Sequence, residues 1–72
     1  MSQIETLYSG PLYSAELLIS AQHGGLIVTR KRKRGGVMLK PDHAQYADYV
    51  ASFRTALDDI ERSALCRALL DA

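Results

Sequence analysis

The residue pattern predicts an α+β domain of order α-β-β-α-α, in which a two-stranded antiparallel hairpin packs on helices. Three observations lead there. Apolar residues recur at helical spacing through the second half of the chain, β-branched residues flank a glycine-containing cationic turn near the middle, and 72 residues suffice for one small core.

Residues 1–13 open with a Ser-x-x-Glu capping pattern, Ser2 to Glu5, cut short by Ser9-Gly10-Pro11, and are expected to form an irregular N-terminal segment. Residues 14–24, SAELLISAQHG, predict a helix. Ser14 caps it, Glu16 lies where the positive end of the helix dipole favours an acid, and Gly24 takes the left-handed closing position. Leu17, Leu18 and Ala21 form the inward face.

Residues 26–40, LIVTRKRKRGGVMLK, predict the hairpin. With the turn over Arg32 to Gly35, Val28 falls opposite Leu39 and Arg30 opposite Val37. Alternation then puts Leu26, Val28, Val37 and Leu39 on one face and Ile27, Thr29 and Met38 on the other. The apolar positions gather at the base, and Arg30 to Arg34 project at the tip. Pro41 ends the second strand, and Asp42 with Gln45 starts a helix over 42–62. Tyr46, Tyr49, Val50, Phe53, Leu57 and Ile60 form its apolar stripe, which favours core packing over base stacking for the aromatic rings. Beyond Arg62 the phase is lost. Ser63 is expected to start a separate helix, 63–71, whose Leu65, Leu69 and Leu70 supply an association surface.

Charge carries the functional expectation. Nine Lys and Arg oppose eight Asp and Glu for a net charge of +1, yet six of the nine cations and none of the acids lie in residues 24–40. Arg30, Lys31, Arg32, Lys33, Arg34 and Lys40 are therefore the candidate polyanion-binding residues. Three of the five at the tip are arginines, whose planar fork matches phosphate and carboxylate oxygens. Like charges on a hairpin tip also discourage edge-to-edge aggregation, but that role rarely needs five in a row. The expected partners are a DNA or RNA backbone, with an acidic segment of a partner protein as the alternative.

Other chemistries lack a constellation. His23 and His43 are far apart with no metal-ligand spacing, Cys66 sits among alanines and leucines, and Asp58, Asp59 and Glu61 diverge around a helix. A non-enzymatic protein without cofactor or metal is expected. The single cysteine permits no internal disulfide, and no apolar run approaches the roughly 20 residues of a membrane span. The N-terminal MSQIETLYSG lacks the charged and apolar regions of a secretory signal, so a cytoplasmic setting is expected. A core this small also predicts a homodimer.

AELLISAQHGGLIV at 15–28 and ERSALCRALL at 61–70, with the hairpin between them, are similar to the TubC-type N-terminal docking domains of nonribosomal peptide and mixed synthases. The resemblance implies a helix, a hairpin and two further helices. It also implies a hairpin edge that captures a short acidic peptide by strand addition, with residues 30 to 34 as the charged docking edge.

Overall fold

The computed structural model of the chain describes residues 3–20 and 24–71. The α+β class holds, but the sheet has four strands where two were expected. The order is β1 Gln3–Ser9, β2 Tyr13–Ile19, β3 Gly24–Arg30, β4 Gly36–Leu39, α1 Tyr46–Thr55 and α2 Asp59–Leu70. The strands form an antiparallel meander, each pairing with its neighbours in sequence.

The helix expected over 14–24 is the central strand β2 through Ile19, with Ala21 and His23 outside the described residues. Helix propensities differ by only tenths of a kcal/mol per residue, whereas a central strand satisfies its backbone on both sides and gives alternate residues to the core. Ala15 and Leu17 face inward, and the expected cap Ser14 instead shares a hydrogen bond with Thr29, Oγ to Oγ1, at 2.6 Å. The N-terminal segment expected to be irregular is strand β1. Its register with β2 shifts between Thr6 and Tyr8, a bulge that lets both Leu7 and Tyr8 join the core side. In the following turn, the Tyr8 ring lies against Gly10 and leaves no room for a Cβ there. The Gly10 N–H donates to the Tyr13 carbonyl at 2.9 Å.

The β3–β4 hairpin keeps its expected faces but not its expected register. Val28 pairs with Val37 and Leu26 with Leu39. The offset from the expected pairing is two positions, so the alternation is preserved. Its cause is the position of the turn, which lies one residue earlier than expected, at 31–34, and is closed by the Arg30 N–H donating to the Gly35 carbonyl at 3.3 Å. Gly35 has φ +122°, a backbone region that disfavours any residue with a Cβ.

Both helices cover the face that carries Leu17, Leu26 and Val28. The single helix expected over 42–62 starts only at Tyr46 and breaks after Thr55. A turn precedes it, in which His43 Nδ1 accepts the Gln45 N–H at 3.0 Å. Asp58 Oδ1 caps α2 by accepting the Glu61 N–H at 3.0 Å, and Glu61 Oε2 reaches back to the Leu57 N–H at 3.0 Å. Arg62 welds the joint: Nε donates to the Phe53 carbonyl at 3.3 Å and Nη2 to the Ala56 carbonyl at 3.0 Å, answering carbonyls that α1 leaves open at its end. Restarting the helix at Asp59 resets the phase, so Leu65, Cys66, Leu69 and Leu70 point towards the sheet as one stripe.

The core is Tyr8, Ala15, Leu26, Val28, Phe53, Cys66 and Leu69, with Tyr46, Tyr49, Leu65 and Leu70 packed around it. Cys66 is completely buried, and that burial pushes its thiol pKa up to about 11. The neutral thiol is the form that the fold accommodates, so its contribution is fully present below about pH 9, where the unfolded thiol is also protonated. Stability is then expected to fall by roughly 2–3 kcal/mol as pH rises from about 9 to about 11. Chemical denaturation across this window checks it: Cys66→Ala should flatten the decline, and an equal decline in that variant would refute the assignment.

The opposite face of the sheet is left uncovered by the helices. It carries Ile4, Leu18, Ile27 and Met38 among Thr6, Ser14, Glu16 and Thr29, with Ile4 and Met38 well exposed.

Candidate functional site

The cationic loop stands at one end of the sheet, between the end of β3 and the start of β4. Its neighbours are the β1–β2 turn and the C-terminus of α2. The Lys31 N–H donates to the Leu12 carbonyl at 2.9 Å, docking the two turns together. Lys31 Nζ donates to Ser9 Oγ at 2.9 Å across the same junction.

Arg30 reaches the other neighbour. Its Nη2 lies 3.3 Å from Asp71 Oδ1 and 3.5 Å from the Leu70 carbonyl, at the negative end of the α2 dipole. Asp71 also forms an exposed ion pair with Arg67, whose Nε lies 3.5 Å from Oδ2. Arg30 is thus partly spent on holding the tip against the helix layer. Arg32, Lys33 and Arg34 are exposed and among the described residues pair with no other side chain, so their charge faces solvent. The run of five divides by what its members touch: two brace the loop and three present charge.

Beside the loop a cleft of about 380 Å³ is lined by Leu12, Tyr13, Arg30, Arg32, Lys33 and Asp71. With Arg30 and Asp71 paired, its net charge comes from Arg32 and Lys33. An oxyanion entering it meets two cations, a phenol and an apolar side chain. A second concavity, beside β1, holds Glu5, Arg54, Asp59 and Arg62, but these are matched, Glu5 with Arg54 and Asp59 with Arg62, both at 3.1 Å. It offers no surplus charge to an ion.

Other expected site residues lie elsewhere. Lys40 is exposed just beyond Leu39, at the far end of β4 from the tip, and the fold does not bring it to the cluster. Of the leucines expected to form an association surface, Leu69 is in the core and Leu65 and Leu70 are half-buried against it, which corrects their assignment. The apolar side chains that do face outward on the helix layer are Leu57, 88% exposed, and Ile60, 80% exposed. The sequence pattern hides them, because Leu57 and Ile60 continue the α1 stripe only if the helix does not break. The signal for the break is present as Asp58-x-x-Glu61.

Among the described residues no group of three His, Cys, Asp or Glu side chains could hold a metal ion, and no helix is long and apolar enough to cross a membrane. Comparison with protein-family models, with curated proteins and with solved structures finds no match for this chain.

Proposed function

We propose that this chain is a non-enzymatic binding protein that uses its cationic β3–β4 loop to contact the phosphate backbone of a nucleic acid. The observation that carries the proposal is the exposed run Arg32, Lys33 and Arg34, held away from the core by a loop that Arg30 and Lys31 brace at its β3 end. Phosphate contacts need cations that have not been spent on internal carboxylates, and bracing reduces the ordering cost of binding. Contacts to the phosphate backbone carry no sequence information, so this mode of binding is of low sequence specificity and strongly dependent on salt. Fluorescence anisotropy with labelled duplex DNA, single-stranded DNA and RNA tests this. Binding that weakens steeply with added salt is expected, and no binding to any of the three at low salt would rule it out.

A second reading has one observation in its favour: β4, next to the loop, is an edge strand of the sheet. An acidic peptide of a partner protein, the kind of ligand that the TubC-type resemblance implies, could add to that edge with its carboxylates on Arg32 to Arg34. Affinity capture before and after nuclease treatment separates the two. A captured protein that survives nuclease but disappears when Arg32, Lys33 and Arg34 are changed to Ala would favour peptide docking.

A further inference from the structure

We infer that the outer surface of α2 is the interface of a two-fold symmetric dimer of this chain. Leu57 and Ile60 are the most exposed large apolar side chains among the described residues, and both lie at the N-terminal end of α2. Ile60 borders an open groove of about 490 Å³ along α2, lined also by Ser63 and Ala64 on the helix and by Leu12 and Tyr13 across from it. Leu12 is itself 48% exposed. The groove is therefore partly apolar, lined by small residues on the helix and bordered by an unburied isoleucine.

What identifies the occupant as a second copy is the charge along the groove. Asp59 lies at one end and Arg67 at the other, following the helix itself, which is acidic in its first turn and basic in its last. A copy related by a two-fold axis near Ser63 and Ala64 lays its α2 antiparallel to the first. Asp59 of each copy, leaving its exposed intrachain pair with Arg62, then meets Arg67 of the other, which leaves its exposed intrachain pair with Asp71, and Ile60 of each enters the other's groove. The helix dipoles oppose, and the small residues at the crossing allow close approach. Such an isologous contact is satisfied twice by a single arrangement, as closed symmetry requires. A parallel arrangement would put acid on acid. The inference is independent of what the cationic loop binds. It places the two loops at opposite ends of the dimer, since the C-terminus of each α2 abuts its own loop.

Sedimentation velocity over a micromolar to millimolar series tests it. The native chain is expected to reach twice the monomer mass, and Ile60→Asp, a change at an exposed position, should stay monomeric with an unchanged circular dichroism spectrum. Register is tested by charge exchange: Asp59→Lys and Arg67→Glu should each self-associate about tenfold or more weakly, and mixing the two should restore a dimer, because the heterodimer regains both ion pairs. A native chain that remains monomeric throughout, a dimer that survives Ile60→Asp, or a mixture no better than its components would overturn the inference.

Discussion

Changing Arg32, Lys33 and Arg34 together to Ala is expected to lower affinity for duplex DNA by roughly two orders of magnitude at about 0.1 M salt. The estimate follows from counterion release, in which each phosphate neutralised contributes about 0.9 to the log–log salt slope. With those three residues the native slope should be at least about −2.7, approaching about −3.6 if the Lys31 ammonium leaves Ser9 for a phosphate, and the triple variant should lose about 2.7 of it. The single variants sharpen the assignment. Lys40→Ala, at the far end of β4, should leave both affinity and slope unchanged, whereas Arg30→Ala should disturb the tip mainly by releasing it from Asp71 and Leu70. Anisotropy titrations at four or more salt concentrations measure all of these. A triple variant with the native slope would refute the role given to the loop, whatever its affinity.

Phe53→Ala is expected to cost about 3–5 kcal/mol, comparable to the whole stability of a domain of this size, and so to abolish cooperative unfolding at room temperature. Phe53 is 1% exposed and is the largest completely buried side chain. It is also placed where α1 ends, and its carbonyl accepts from Arg62, so the ring and the helix joint share one position. Truncation leaves a cavity in the close-packed core that Phe53 shares with Leu26, Val28 and Cys66. Phe53→Leu, which keeps most of the volume, should retain a cooperative melt at a lower midpoint. Urea denaturation followed by circular dichroism distinguishes the two. A Phe53→Ala chain that melts like the native one would show that the core lies elsewhere.

Several features of this fold were legible in local pattern. Period-two alternation in LIVT and VML assigns Leu26, Val28, Val37 and Leu39 to the core face, and it survives the change in register because an even shift preserves faces. The stripe through Tyr46, Tyr49 and Phe53 likewise marks the inner face of α1. The N-terminal half was not legible, for a physical reason. SAELLI combines a capping serine, an early acid and good helix formers, and its strand state comes from two pairings with segments that its own composition does not specify. QIETLYS was obscured by its bulge, which interrupts the alternation at Leu7. The outward apolar residues of the helix layer were missed through one signal: reading Asp58-x-x-Glu61 as a new helix start turns Leu65 and Leu69 inward and leaves Leu57 and Ile60 outside.

The cationic loop divides the same way. That residues 30 to 34 form a projecting turn follows from glycine, alternation and charge, all of them properties of neighbouring residues. Which of the five are free does not. Arg30 is engaged by Asp71, 41 positions away, and Lys31 by Ser9, 22 positions away, contacts that exist only once the meander and α2 have come together. Charge density is inherited from composition, whereas the availability of each charge depends on which carboxylates and hydroxyls the fold brings within hydrogen-bonding reach.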